Sequence, residues 1–129
     1  MQVLWPQAER VRREADPNDF CLVTLWELGG ARLLSMSDLP GMYEAYVAVP
    51  ADIRKVGHHG QGDSTGERFA QLVAPKVALV SAGRNLALDK LAARLPGTAL
   101  YWTGDCGAVT LRFTGNRFEI TTWLPGQEE

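Results

Sequence analysis

Histidine is almost missing from this chain. Its 129 residues hold two, His58 and His59, side by side, and none precedes position 58. Cysteine is as scarce. Cys21 and Cys106 stand alone, without the CxxC spacing of a zinc knuckle or a redox motif. Cys21 reads as a small buried hydrophobe, and the sequence leaves a disulfide between the two open. No run of 18 apolar residues occurs, so no transmembrane helix is encoded. Met1-Gln2-Val3-Leu4-Trp5-Pro6 lacks the charged start and apolar core of a signal peptide. Positive charge is not in excess either. The net charge of −2 gives no bulk field to attract phosphates, and Arg10, Arg12 and Arg13 read as a solvated segment. The Gly-rich stretch Gly57 to Gly62 has no helix and lysine directly behind it, which argues against a phosphate cradle. Ser64 and Ser81 lack an activating histidine in a nucleophile motif. Trp5, Trp26, Trp102 and Trp123 lie without interleaved basic residues, so packing is expected of them rather than base stacking.

What remains is an ordinary globular composition, enough for one domain over residues 1–129 with a modest core. Val3 to Trp5 reads as a strand, and Gln7 to Asp19 as a loop with a helical turn near Ala8 to Glu14. Cys21–Leu28 and Ala31–Met36 flank Gly29-Gly30, a tight hairpin signal. Asp38 is placed to cap a helix carrying Met42, Tyr43 and Tyr46. Ile53–Val56 is a strand. Ser64-Thr65-Gly66-Glu67 has capping-box spacing before a helix that buries Phe69, Leu72 and Val73. Val77–Val80 is a wholly apolar interior strand. Asn85 caps a third helix with Leu88, Leu91, Ala92 and Leu95 inward. Ala99–Trp102 is a strand, and Gly107–Phe113 pairs with Arg117–Trp123 across Thr114-Gly115-Asn116. Helices thus alternate with strands between two hairpins, an α/β layer on a mixed sheet.

The chemistry sits at two strand ends. The strand 32–37 ends on Asp38, and the strand 53–56 ends in the glycine-bracketed pair His58-His59. Carboxylate and imidazole at neighbouring strand ends are a piece of a metal site. Asp63, Asp105 and Cys106 are further donors that nothing in the sequence requires.

Four segments then fall into a known order: Leu33-Leu34-Ser35-Met36-Ser37-Asp38, Val56-Gly57-His58-His59-Gly60-Gln61, Pro75-Lys76-Val77-Ala78-Leu79-Val80-Ser81-Ala82-Gly83 and Gly107-Ala108-Val109-Thr110-Leu111. In this order and spacing the chain resembles the C-terminal half of a metallo-β-lactamase fold domain of the ComEC competence type, proteins that take up DNA. The resemblance implies half of an αββα sandwich, with a mixed β-sheet, about three helices and two β-hairpins. It implies that Asp38 matches the metal-bridging carboxylate, that His58 matches the late histidine ligand, and that His59 stands behind them in the second shell. Zinc or another divalent metal in intact relatives would activate water against DNA phosphodiesters, in a membrane-associated parent.

Three departures matter. The family's early His-x-His-x-Asp-His cluster is absent. Ser37 replaces the glycine before the aspartate. A Gly-His-Pro-His-Pro segment after the fifth strand is missing. Catalytic zinc takes at least three protein ligands, so Asp38 and His58 are an incomplete set, expected to bind no metal in this chain and to leave it inactive alone. Asp38 is then expected to serve chiefly as a helix cap. The alternatives are a non-catalytic interaction or assembly module, and a small hydrolase that completes its metal site by dimerisation. The expected partners are a second copy, through a bare sheet face including Trp26 or Leu25, Leu111 and Ile120, and the N-terminal half of a parent protein. DNA enters only through the resemblance.

Overall fold

Short β-branched and leucine-rich runs, each stopped by glycine, proline or aspartate, build most of the architecture. The computed structural model describes residues 1–7, 9–10, 17–60, 65–83 and 88–124. Six strands lie in chain order in one sheet: β1 (Gln2–Trp5), β2 (Val23–Leu28), β3 (Ala31–Ser35), β4 (Ile53–Lys55), β5 (Val77–Val80) and β6 (Ala99–Trp102). β1, β2 and β3 are antiparallel neighbours, and β3 through β6 are parallel. Helices α1 (Glu67–Val73), α2 (Leu88–Arg94) and α3 (Thr103–Cys106), with 3-10 helices over Gly41–Val47 and Gly57–Gly60, fill the connections. β7 (Val109–Thr114) and β8 (Arg117–Thr122) form a separate two-stranded sheet. The expected α/β class with a mixed sheet and two hairpins is what is found.

Register decides which residues share a face. Leu25, Leu34, Arg54, Ala78 and Leu100 form one row across the sheet. On that face the core packs under the helices. One cluster includes Trp5, Leu34, Met36, Tyr43 and Phe69, and a second includes Val56, Ala78, Val80, Leu91 and Leu95. The opposite row runs Trp26, Leu33, Ile53, Val77 and Ala99. The sequence led us to expect this second face to be bare, yet Ile53 and Val77 are buried. The β7–β8 hairpin has one half-buried side of its own. Its Val109, Leu111, Phe113, Phe118 and Ile120 are half-buried while their alternates are exposed. Its turn at Gly115-Asn116 also abuts the β2–β3 turn: a Cβ on Gly29 would collide with the Gly115 carbonyl, and one on Gly30 would meet the Asn116 side chain. Trp26 stays partly exposed on this face, whereas Leu25 lies in the core.

Gly29-Gly30 makes the tight turn as expected, with φ of +57° and +87°, the doubly left-handed form that suits a two-residue hairpin. Several local expectations fail for identifiable reasons. The segment after Asp38 winds as a 3-10 helix whose N-cap is Pro40, with no side-chain cap, because the Asp38 carboxylate is turned elsewhere. α1 begins after Gly66 without a side-chain cap. Thr65 faces inward to a buried guanidinium, and Ser64 lies outside the described residues. Leu72 is exposed and Ala70 takes its place inside. In α2, Leu91 is buried and Ala92 exposed. Strand β2 starts at Val23, so Cys21 precedes it, and no disulfide joins Cys21 to Cys106. The turn expected near Ala8 to Glu14 and the cap at Asn85 fall largely outside the described residues, as does Asp63.

Candidate functional site

Four parallel strands end at one edge of the sheet, and every candidate side chain follows one of those ends. In open α/β sheets ligands collect outside the carboxyl ends of the strands. Asp38 follows β3, His58-His59 follow β4, Ser81 follows β5, and Thr103 follows β6.

The backbone at this edge is bent unusually. Ser37, His58 and His59 all have positive φ, at 54°, 48° and 53°, a region that costs non-glycine residues energy and that tends to be used where geometry matters. The His58 amide donates to the Ser37 carbonyl at 2.9 Å, tying the two loops together. His59 is the one that reaches the aspartate: its Nε2 lies 3.3 Å from Asp38 Oδ1. Its Nδ1 lies 2.7 Å from the Ser81 carbonyl oxygen. A carbonyl only accepts, so Nδ1 carries the proton, and Nε2 meets the carboxylate across a position suited to a second proton or a cation. The geometry therefore brings Asp38 to His59, the residue expected in the second shell. His58, the expected ligand, is joined to the Asp38 loop through its amide.

The peptide that receives His59 is itself held. Its Ala82 N–H donates to Thr103 Oγ1 at 3.1 Å, and Trp102 Nε1 donates to the carbonyls of Ala82 at 3.1 Å and Gly83 at 3.2 Å. Thr103 thus sets the tilt of the Ser81–Ala82 peptide and, through it, the His59 ring. Thr103→Val should leave the Ala82 N–H without its acceptor and cost about 1–3 kcal/mol. It should also shift the His59 side-chain nitrogen resonances, which Thr103→Ser should leave in place. Nitrogen NMR of the imidazole checks both. Cys106 is buried with its thiol on the Trp102 carbonyl at 3.2 Å, a packing role.

Behind this edge lies a group that the sequence reading missed. Arg54, in the middle of the sheet, is fully buried with Glu44. Its Nη2 donates to Glu44 Oε2 at 3.2 Å and to Thr65 Oγ1 at 3.0 Å. The Glu44 carboxylate also accepts the Thr65 amide at 2.8 Å and the Gly66 amide at 2.9 Å. The guanidinium lies over the Phe69 ring at 4.3 Å. Burial pulls the Arg54 pKa down from its ordinary value to about 10, against the pull of Glu44 upward. The group therefore stays charged at neutral pH. The clamp ties Thr65 and Gly66, at the start of α1, to β4 and to the 3-10 helix over Gly41–Val47. The signal was available, since an arginine between Ile53 and Val56 on a central strand has nowhere to go but inside.

Whether these residues suit a divalent metal can be tested on their geometry. Two donors 3.3 Å apart, the histidine backed by a carbonyl on its other nitrogen, match the usual support of a metal-bound imidazole. A third is lacking: among the described residues no group of three or more His, Cys, Asp or Glu is placed to hold an ion. The described residues therefore do not make a complete catalytic zinc site.

No family model matches the chain. Among curated proteins it is 42% identical over 76 residues to ComE operon protein 3 of Bacillus subtilis (strain 168). That alignment covers 55% of this chain and 10% of the relative, so the match takes in a small part of a much longer protein. Among the described residues no helix is long and apolar enough to cross a membrane.

Proposed function

We propose that this chain is a partial metallo-β-lactamase-like domain of the ComEC kind. It would contribute the Asp38 and histidine side of a metal-dependent site that acts on DNA phosphodiesters during DNA uptake, and it is not a hydrolase by itself. The observation that carries this reading is the meeting of Asp38 and His59 at the carboxyl edge of β3 and β4, with Ser81 behind the imidazole. The likeness to ComE operon protein 3 supports it. On this reading His59 stands with Asp38 on the ion, and His58 braces the loop. The remaining ligands belong to the N-terminal half of a parent protein or to a second copy. The described residues offer two donors where catalytic zinc takes three, so no step of hydrolysis is assigned to this chain.

The test has two arms. The purified chain should give no turnover of bis-p-nitrophenyl phosphate or single-stranded DNA with zinc or manganese. Calorimetric titration should show weak zinc binding that Asp38→Ala and His59→Ala each abolish. Zinc binding indifferent to both substitutions would sink the reading. Metal-dependent turnover lost in both variants would favour the small hydrolase that completes its site by dimerisation. Apolar surface along β1 and β2, with Val3, Leu22 and Trp26 exposed, is where a second copy or a preceding half would dock in the assembly reading.

A further inference from the structure

A cavity of about 370 Å³ lies between α1 and α2, where the chain enters β5 and β6. Asp38 and His59 follow the other ends of the parallel strands, so this is a separate place on the molecule. Its walls are tied together. Thr98 Oγ1 donates to the Pro75 carbonyl at 2.9 Å, and the Ala99 amide donates to the Lys76 carbonyl at 3.0 Å. The loops into β5 and β6 therefore hold each other, and the cavity is part of the fold. Part of its lining is apolar and well packed: Ala70, Pro75 and Leu95 are buried, and Ala70 and Leu95 belong to the second core cluster. The volume is that of a small-molecule pocket.

The charge of the lining is uneven. Arg94 and Lys76 face a single carboxylate, that of Glu67. Among the described residues no salt bridge joins either cation to a carboxylate. Arg94 is half-buried, and its Nε is shut off from solvent with no hydrogen-bond partner among the described residues. A buried donor without an acceptor is costly. A cation in the last turn suits the carboxyl end of α2, but that leaves Nε without an acceptor. The positive charge of Arg94 also reaches Arg54 and helps to lower its pKa. Arg54 is matched by Glu44, so the charge of Arg94 is the one left over.

We propose that this cavity binds a small organic anion. The Arg94 guanidinium, with Lys76 beside it, takes a carboxylate or phosphate head, and Ala70, Pro75 and Leu95 take an apolar body. The site does not rest on the reading of Asp38 and His59.

The experiment is titration of the isotope-labelled whole chain with benzoate and with phenyl phosphate, followed by amide chemical shifts. Inorganic phosphate and benzylamine are run alongside. At least one of the two aromatic anions should move the amides of Ala74, Gly97 and Thr98 saturably, and the tighter of them names the head group. Inorganic phosphate, which has no body, should bind several-fold more weakly, and benzylamine, of opposite charge, should leave these amides in place. Arg94→Met should weaken the anion about tenfold or more. Arg94→Lys, which keeps the charge without the planar fork, should fall between. Glu67→Gln should tighten binding, since the opposing carboxylate is gone. Arg117→Met, a surface change on β8 outside the cavity, should alter nothing. The proposal is overturned if neither aromatic anion moves these amides, or if Arg94→Met binds as the parent does. It also falls if Arg117→Met weakens binding as much as Arg94→Met, or if inorganic phosphate binds as well as phenyl phosphate, because general charge attraction would then account for the binding.

Discussion

Glu44→Ala should destabilise the protein by about 3–5 kcal/mol, because removal of one partner strands the other charge in the interior. Arg54 remains protonated at neutral pH despite its lowered pKa of about 10, and none of its surface reaches solvent. The same change orphans the Thr65 and Gly66 amides. With typical domains stable by about 5–15 kcal/mol, this loss would take a large part of the margin. A urea titration followed by circular dichroism measures it. Glu44→Ala combined with Arg54→Met should recover most of the loss, since no charge is then left buried. If the single variant stays within about 1 kcal/mol of the parent, the pair is not what holds the start of α1. The burial that lowers the Arg54 pKa also fixes the sign of its pH effect. The charged guanidinium is the costlier form in the folded chain, and that cost is relieved only as pH rises through about 10.

Trp5→Ala should be nearly as severe, costing about 3–5 kcal/mol through the cavity it leaves. Trp5 is fully buried at the end of the edge strand β1. Its ring centroid lies 4.8 Å from that of Tyr43 and 6.0 Å from that of Tyr46, in a nearly parallel stack with the latter. The indole therefore fastens β1 to the 3-10 helix that begins three residues after Asp38. Calorimetric melting should show the loss. A Tm within two degrees of the parent would mean that the cavity collapses and that β1 is held by its ladder alone.

The strands were legible because their apolar runs are short and bounded. Gly29-Gly30 and Gly115-Asn116 mark turns by backbone requirement, and the chain turns at both. Helix ends were read less well, because polar residues that cap in isolation have better offers in the folded protein. Asp38 goes to His59 and Thr65 goes to Arg54. Leu72 fits a helical period but lies on the side of a two-turn helix that has nothing over it. At the candidate site, the Asp38 and histidine loops were visible as strand ends. Which of two adjacent imidazoles turns toward the carboxylate was not, since that depends on two positive φ values that no local pattern announces. The Ser81 carbonyl is backbone and leaves no trace in residue type. Trp123 was read into the last strand, which ends at Thr122, although its amide still donates to the Ala108 carbonyl.

The contact between the two hairpin turns bears on how the chain assembles in time. Each hairpin closes a few residues and can form within microseconds. Gly29-Gly30 meeting Gly115-Asn116 instead closes nearly the whole length between them, and its entropy is lost only once the parallel strands in that interval are ordered. Such a contact belongs on the native side of the folding barrier. It governs how slowly the protein opens and has little bearing on how quickly it forms.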